Sequence, residues 1–247
     1  MLERIKNVYR RIVYGKKLTS EEFVAHLRGR GVEVGEDVIF YSPDSNVIDL
    51  QYPWLMRIGS HVRITKGVIM LTHDYSWSVL KRFHDGVDEG RIFGACGKVE
   101  IGDNVFIGMD AVIMRGVTIG NDVIIGANAV VTKDCESGWV YGGNPAKKIM
   151  TVADFYKKRE QAQIPEAKML ARAYYDRCGQ LPPQEIFHEF FMLFCTEDQL
   201  LPAFREKMKL CGNEEASYAA MGKHPPVYPS YEAFLEDCGL PISKEKE

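Results

Sequence analysis

The segment from Ile101 to Glu136 decides the fold, and in groups of six it reads IGDNVF, IGMDAV, IMRGVT, IGNDVI, IGANAV and VTKDCE. The first place of every group is Ile or Val, and the fifth place is Val, Ala or Cys. Helical side chains six residues apart turn away from any common face, because about 3.6 residues complete one turn. A coil of short strands with three flat faces keeps both places inside. The pattern therefore predicts a β-solenoid of hexapeptide repeats.

The second and fourth places of these groups are predicted to form the turns between faces. Gly is common at the second place, and Asp or Asn at the fourth. Both residue types tolerate the positive φ angles that tight turns often require. We therefore expect positive φ at both places.

The six-residue spacing begins well before this segment. The chain keeps it over seven positions: Val34, Phe40, Asn46, Tyr52, Ile58, Ile64 and Met70. The part from Phe40 to Met56 is degenerate, with two prolines and a tryptophan, but the spacing does not slip there. We interpret it as an early coil whose faces were altered to form part of a surface.

The spacing breaks after Met70. The interval from Met70 to Ile101 is 31 residues, one more than a multiple of six, so coil alone cannot fill it. Residues 75–98 contain no repeat and are predicted to form an extruded loop. Loops of this length inside a compact domain are commonly functional or disordered.

His73 lies at the fourth place of its group, next to the start of this loop. A turn position leaves its side chain free to point away from the coil. An imidazole with an ordinary pKa can accept a proton near neutral pH and return it later, as a general base in acyl transfer does. Most surface histidines are inert, but the location of His73 at the break in the repeat makes it the candidate base.

The composition excludes several functional classes. The 247 residues carry a net charge of −3 and are 46% hydrophobic, which is typical of a soluble globular protein and not of a nucleic-acid-binding one. The six cysteines form no CxxC or Cys/His cluster, so we expect reduced thiols in the cytoplasm. No apolar run is long enough for a transmembrane segment, and no signal peptide is predicted.

Three segments are predicted from these patterns. Residues 1–30 form an N-terminal helical segment with a capping box at Thr19 and Glu22, residues 31–150 form the repeat domain, and residues 151–247 form an α-helical C-terminal extension. The part before Thr19 is basic. It is either a solvated helix packed over the open end of the solenoid or an amphipathic helix in peripheral contact with an anionic membrane.

The C-terminal extension is predicted to be a series of helices. The first covers Ala153–Gly179 with an interruption at Pro165, and the others cover Gln184–Cys195, Asp198–Leu210 and Tyr231–Asp237. The final SKEKE is predicted to be disordered. We assign the extension to packing, with a share in acceptor recognition as the alternative.

The residues THDY at 72–75, the extruded loop, the repeats of 99–134 and the closing VYGGNPAKKI at 140–149 together resemble the hexapeptide-repeat acyltransferases. Within them they are most similar to maltose, galactoside and nodulation-type sugar O-acetyltransferases and to polysaccharide O-acetyltransferases. The resemblance covers roughly residues 30 to 150. It implies a mainly β fold, a left-handed parallel β-helix, whose hand departs from the usual right-handed crossover. It also implies a homotrimer with active sites in the clefts between neighbouring coils.

The resemblance further implies an enzyme that transfers an acetyl group from acetyl-CoA to a hydroxyl of a sugar or polysaccharide precursor. His73 matches the catalytic histidine of the family. Gly108 and Met109 match positions at the acetyl end of the donor, where a backbone N–H would stabilise the oxyanion. The positions along the pantetheine arm and the nucleotide are matched by Ala127, Thr132 and Lys133.

The closing turn carries the remaining cofactor positions that the resemblance implies. Asn144 belongs to the turn that closes the cofactor groove, and Lys147 matches a basic residue that meets a phosphate of coenzyme A. Met150 replaces a second basic residue, so Lys148 is an additional candidate. Trp139 either stacks on the adenine or covers the last coil.

The acceptor side has no clear match in the sequence. Asp49 is the candidate carboxylate that orients His73 or holds an acceptor hydroxyl. Asp74 is the alternative, although its place in the hexad is normally an inward corner and a turn-capping role is the favoured interpretation of it.

Three kinds of function stay open at this point. The first is the O-acetyltransferase, with N-acetylation of an amino or nucleotide sugar as a variant that uses the same base and donor. The second is a metal hydratase, which needs three convergent zinc histidines that the spacing of His61, His73 and His84 does not supply. The third is a non-catalytic β-helix binding subunit.

Overall fold

The computed structural model describes residues 15–84, 86, 90–212 and 214–242. The chain divides into two compact units between Phe155 and Tyr156. Residues 1–14 of the predicted N-terminal helix and the final SKEKE lie outside the described residues. The two interpretations of the basic segment therefore stay predictions.

The first unit is a coil of short strands on three faces, named here A, B and C. Face A consists of β1 (Glu33–Val34), β4 (Met56–Ile58), β7 (Val99–Ile101) and β10 (Val117–Ile119). Face B consists of β2 (Ile39–Phe40), β5 (Arg63–Ile64), β8 (Val105–Ile107), β11 (Val123–Ile125), β13 (Trp139–Gly142) and β14 (Lys147–Thr151). Face C consists of β3 (Val47–Ile48), β6 (Ile69–Met70), β9 (Val112–Ile113) and β12 (Val130–Val131). The predicted fold class, a mainly β left-handed parallel β-helix with flanking helices, is confirmed.

The interior of the coil is built from the first and fifth places of the repeat. First-place side chains from Ile101 to Val131 are at most 1% exposed, and Cys135 at a fifth place is 4% exposed. Successive coils align these residues directly, for example Ile107 with Ile125. Stacking of short strands thus buries a continuous aliphatic core that no single hexad could form alone.

Five of the six fourth places of the repeat adopt positive φ as predicted, and Asp134 does not; the five are Asn104, Asp110, Gly116, Asp122 and Asn128. The same prediction for glycine at the second place is wrong, because Gly102, Gly108, Gly120 and Gly126 have no positive φ. A Cβ atom at Gly108 would lie only 2.5 Å from the backbone nitrogen of Ala127 in the next coil. Glycine at the second place is therefore required by the close approach of successive coils.

The regular spacing predicted for the first coil is also wrong. The register aligns Ile48 with Met70, so Ile48 occupies the aligned place on face C. Asn46 and Tyr52 instead flank two short 3-10 helices, Pro43–Ser45 and Pro53–Leu55. Val34 aligns with Ile58 over 24 residues, whereas Ile101 aligns with Ile119 over 18. The first coil is therefore longer than a regular coil by six residues, the length of one hexad. For this reason residues counted in sixes still fall on Val34 and Ile58, although Asn46 and Tyr52 between them are not in strands.

The helix α1 (Ser20–Arg30) precedes the coil. The Thr19 side chain accepts a hydrogen bond from the Glu22 N–H at 3.2 Å, so Thr19 caps the helix as predicted. Phe23 and Leu27 are buried in the same core as Phe40. The helix thus covers the apolar interior beside the first coil.

The C-terminal unit is helical, with corrections to the predicted elements. The helices are α2 (Val152–Cys178), which begins just before the division between the units, α3 (Pro202–Leu210), α4 (Glu214–Lys223) and α5 (Tyr231–Asp237). The interruption predicted at Pro165 is wrong, because the helix continues through Pro165 without a break. Arg159 pairs with Glu166 across the proline, and Ala167 and Ala171 are buried beyond it. These contacts offset the hydrogen bond that proline cannot donate.

The helix predicted over Gln184–Cys195 is also wrong. This segment forms two 3-10 helices, Gln184–Phe187 and Phe191–Leu193. Phe187 and Phe194 both pack on Phe234 with ring centroids 5.3 Å apart, so tertiary packing decides the local backbone. No helix within the described ranges is long and apolar enough to cross a membrane.

Candidate active site

His73 lies at the corner where the chain leaves face C for the extruded loop. Its backbone forms an antiparallel bridge with Cys96. On either side, the Gly97 N–H donates to the Thr72 carbonyl at 2.9 Å and the Asp74 N–H donates to the Ala95 carbonyl at 3.3 Å. These bonds join the outgoing and returning ends of the loop and fix the backbone that carries His73.

The carboxylate of Asp49 lies against the imidazole of His73. Asp49 follows β3 on the neighbouring coil, and its N–H donates to the Met70 carbonyl at 3.0 Å. The distance from His73 Nδ1 to Asp49 Oδ2 is 2.5 Å, and the side chains are 17% and 7% exposed. The structure thus brings together the two residues that the sequence proposed as catalytic.

Asp49 receives hydrogen bonds at both carboxylate oxygens. Its Oδ2 accepts from the Thr72 N–H at 2.9 Å and from the Thr72 hydroxyl at 2.5 Å, and its Oδ1 accepts from the Gln51 N–H at 3.0 Å. Burial raises the pKa of Asp49, but these bonds and the one from His73 outweigh it and lower the pKa from 3.8 to about 2. The carboxylate is therefore ionised at any pH near neutrality.

The ionised carboxylate determines which nitrogen of His73 carries the proton. Asp49 can only accept, so Nδ1 of His73 is the donor and Nε2 is the unprotonated nitrogen of the neutral ring. No group in the described part of the chain hydrogen-bonds Nε2. This arrangement can remove a proton from a bound hydroxyl, since a fixed tautomer with an available Nε2 is what a general base requires.

Asp74 does not contribute to this pair. Its Oδ1 accepts from the Ser76 N–H at 3.0 Å and from the Ser76 hydroxyl, and its Oδ2 pairs with Arg115 Nε. Hydrogen bonds from Ser76 and then Arg115 lower the pKa of Asp74 to about 2. Asp74 thus caps the first turn of the loop and joins it to the next coil.

Sequence reasoning missed Thr72 as a partner of Asp49. Thr72 is completely buried, and its hydroxyl and N–H both hold the carboxylate. In the hexad pattern it occupies a place that tolerates many residues, so nothing in the sequence distinguished it. The irregularity between Phe40 and Met56 and the break in spacing after Met70 were the signals that the corner next to His73 is modified.

The expected cofactor residues divide between two edges of the coil. Gly108, Met109 and Ala127 lie at the corner after face B, where the Asn128 N–H donates to the Met109 carbonyl at 2.8 Å. Thr132 and Lys133 follow β12 on face C. They therefore share the corner position of His73, two coils further on. One chain does not place both groups along the same edge.

The hydrogen bonds also distinguish Gly108 from Met109. The Gly108 N–H already donates to the Ile125 carbonyl at 2.8 Å. No acceptor within the described ranges takes a bond from the Met109 N–H, and Met109 is exposed. Of the two, only Met109 has a backbone donor available for an oxyanion.

The closing turn lies between β13 and β14. Asn144 is exposed there, and its peptide bond to Pro145 is cis. Lys147 is exposed at the start of β14, opposite Gly142. Lys148 instead pairs with Glu136 at 2.7 Å and lies 4.3 Å from the Trp139 ring centroid. The structure thus leaves Lys147 as the more available cation and gives Trp139 a packing role on the coil.

The metal hydratase, the second function left open by the sequence, requires a group of side chains that can hold a metal ion. Within the residues that the structure describes, no group of three or more His, Cys, Asp and Glu side chains could hold a metal ion. His61 pairs with Asp37 at 2.8 Å. All six cysteines are free thiols.

Comparisons with known proteins identify the family. The model of the bacterial transferase hexapeptide, with six repeats, matches residues 98–133. Protein CapG of Staphylococcus aureus is 47% identical over 133 residues, which cover 53% of this chain and 73% of CapG. The chain belongs to the bacterial hexapeptide-repeat transferase family. The predicted family is thereby confirmed.

Other relatives of this hexapeptide-repeat transferase are more distant. A chloramphenicol acetyltransferase of Klebsiella aerogenes is 36% identical over 118 residues, which cover 43% of this chain and 54% of that enzyme. A solved hexapeptide-repeat-containing acetyltransferase of Vibrio cholerae is 22% identical, with a TM-score of 0.43 over 60% of this chain and 90% of that one. The enzyme class is confirmed only as a hexapeptide-repeat acyltransferase.

Proposed function

We propose that this hexapeptide-repeat transferase moves an acetyl group from acetyl-CoA to a hydroxyl of a sugar or polysaccharide precursor. The observation that carries the proposal is the 2.5 Å contact between His73 Nδ1 and the buried carboxylate of Asp49. It lies at the root of the loop that interrupts the repeat. The acetyltransferase names of several relatives support the choice of an acetyl donor.

His73 acts as the general base in this proposal. Nε2 removes the proton of the acceptor hydroxyl, and the oxygen attacks the carbonyl carbon of the acetyl thioester. Asp49 stabilises the imidazolium that forms. The Met109 N–H donates to the carbonyl oxygen as negative charge develops on it. The C–S bond then breaks, and the thiolate of coenzyme A takes up the proton that His73 holds.

The division of the expected cofactor residues between two edges supports an active site made by two copies of the chain. Gly108, Met109 and Ala127 would come from one copy, and His73 with Lys133 from its neighbour. A donor lying in the cleft between two coils then contacts both edges. A homotrimer contains three equivalent clefts of this kind, because the interface is repeated by rotation.

The residues on these edges fit a long thioester. Gly108 and Ala127 have little or no side chain, so a pantetheine arm can approach the backbone closely. Lys133 and Lys147 are exposed and can meet phosphate groups as point charges.

The test is the release of thiol from acetyl-CoA across a panel of sugars, nucleotide sugars and oligosaccharides. We expect at least one acceptor to be acetylated by the wild type. The variant His73→Ala should lose about 10² to 10⁴-fold in kcat, which is the usual contribution of a general base. The identity of the product by mass spectrometry and NMR shows whether oxygen or nitrogen is acetylated.

His26→Ala is the matched control, because His26 lies on α1 and has no place in the proposed mechanism. An equal rate for His73→Ala and wild type would remove His73 from the mechanism. If no acceptor is acetylated, a thermal shift with coenzyme A separates a non-catalytic subunit from an enzyme tested on the wrong acceptors. A ligand that binds only the folded state raises Tm.

A further inference from the structure

Four aromatic side chains and the imidazole of His73 form a continuous row. Trp54 packs against Tyr52 with ring centroids 5.8 Å apart, and Tyr52 packs against His73 at 6.0 Å. On the other side, Tyr75 lies 4.9 Å from His73 and Trp77 lies 6.3 Å from Tyr75. All four contacts are edge-to-face. The candidate base therefore lies in the middle of a row of rings.

The row is assembled from two separate segments of the chain. Tyr52 and Trp54 belong to the enlarged corner of the first coil, and Tyr75 and Trp77 belong to the extruded loop. The Tyr75 hydroxyl donates to Gln51 Oε1 at 2.9 Å, which joins the two segments. The arrangement is therefore held by a specific bond as well as by ring contacts.

Two of the four aromatic rings in this row, those of Trp54 and Tyr75, are exposed to solvent. Trp54 is 71% exposed and Tyr75 is 60% exposed, although His73 in the same row contacts Asp49, whose side chain is only 7% exposed. Large aromatic side chains left in water cost free energy, and clusters of them mark sites that bind a ligand or a partner. Trp77 differs, because Lys81 Nζ already lies 4.4 Å from its ring centroid.

The chemistry of the row fits a saccharide ring. A pyranose has C–H groups on its faces and hydroxyls around its edge. Apolar contact with an aromatic face holds the ring, while a hydroxyl at the edge can reach the unprotonated Nε2 of His73. Sites of this composition, mainly aromatic with a few polar groups, are typical of small-molecule binding.

We propose that Trp54 and Tyr75 bind the acceptor by contact with the face of a pyranose ring and direct one of its hydroxyls to His73. This inference rests on the proposed function. Trp54 and Tyr75 then determine the affinity for the acceptor and not the affinity for acetyl-CoA.

The test compares Trp54→Ala with Trp54→Phe in the acetyl-transfer assay. Trp54→Ala should raise the KM for the acceptor about tenfold or more, which is the loss of roughly one good contact. The KM for acetyl-CoA should stay within about twofold, because the row does not contact the donor in this proposal. Trp54→Phe should recover most of the lost affinity, because it restores an aromatic face.

Tyr156→Ala is the matched control, since Tyr156 is an exposed aromatic residue outside the row. It should leave the KM for the acceptor unchanged. Tm and molecular mass are measured for each variant. A variant Trp54→Ala that loses its assembly together with its activity would assign the row to a contact between copies and overturn the inference.

Direct binding separates this inference from the proposed function. Saturation-transfer NMR with methyl glycosides and short oligosaccharides is run on wild type and Trp54→Ala without acetyl-CoA. Saccharide binding that needs Trp54, without any acetyl transfer, would sustain the inference and defeat the proposed function. Acetyl transfer with an unchanged acceptor KM in Trp54→Ala would sustain the proposed function and defeat the inference. An absence of saccharide binding to the wild type also overturns the inference.

Discussion

Asp49 holds the imidazole of His73 in one orientation, and its replacement by Asn tests that role. The amide can donate as well as accept, so it no longer selects the tautomer with a proton on Nδ1. We expect Asp49→Asn to lower kcat on the order of 10² to 10⁴-fold, with little change in the KM for acetyl-CoA. Steady-state kinetics with the acceptor found above provide the measurement. Asp44→Asn, an exposed carboxylate on the same coil, should behave as wild type.

The lowered pKa of Asp49 predicts its effect on stability in acid. The folded pKa is about 2 and the usual value is 3.8. The unfolded chain therefore takes up the proton first as the pH falls. The stabilisation is complete above about pH 4 and is lost progressively towards about pH 2. Urea unfolding across this window should show a steeper fall in the free energy of unfolding for wild type than for Asp49→Asn. If the free energy of unfolding fell equally with pH in both proteins, folding would not stabilise the ionised carboxylate of Asp49.

Part of the site could be predicted residue by residue. His73 stood out because it lies at the break of a strict repeat, and Asp49 because it is a carboxylate on the neighbouring coil. Thr72 and Tyr52 did not stand out, because their roles depend on which corners the register brings together. The first coil has an enlarged corner in this register. Its extra length is six residues, so a search for six-residue spacing does not detect it.

At the level of the strand and turn, the close stacking of coils makes a prediction about glycine. A Cβ atom at Gly59 would lie 2.5 Å from the Gly102 carbonyl oxygen on the next coil. Backbone cannot move aside as a side chain can, so Gly59→Ala should destabilise the protein by roughly 1 to 3 kcal/mol. Urea unfolding measures the change. Gly94→Ala should be neutral, because nothing lies within 4 Å of a Cβ there.

Strands and helices could be predicted from the sequence where a single local pattern determines them. The hexads of 101–136 specify inward aliphatic places, and the strands form accordingly. The 3-10 helices around Phe187 and Phe191 were not predictable, since burial of the phenylalanine rings overrides the helical pattern. Pro165 shows the same effect in the opposite direction, because packing maintains a helix through a residue that usually ends one.

At the level of the whole molecule, the expected cofactor residues lie on two different edges of one chain. Two inactive variants, each altered on a different edge, should therefore restore activity when they assemble together. His73→Ala and Ala127→Arg should each be inactive, by loss of the base and by obstruction of the donor. In an equal mixture of co-refolded subunits, about one quarter of the clefts would combine an intact His73 with an intact Ala127 from the neighbour. The specific activity of the mixture should recover to about that fraction of wild type.

The control for this experiment mixes His73→Ala with Asp49→Asn. Both changes lie on the same edge of one chain, so no cleft regains a complete base and the mixture should stay inactive. Recovery in this control would mean that His73 and Asp49 act across subunits. No recovery with Ala127→Arg would place the whole reaction within one chain.

The corner that leads from face C to face A varies in length while the strands on either side keep their alignment. It takes ten residues from Ile48 to Ile58 and 31 from Met70 to Ile101, but only six from Ile113 to Ile119. Both long versions carry residues that contact His73, namely Asp49 and Tyr52 in the first and Tyr75 in the second. Exchange of these two segments between homologous enzymes should therefore transfer acceptor preference, because the strands on either side keep their alignment at all three of these lengths.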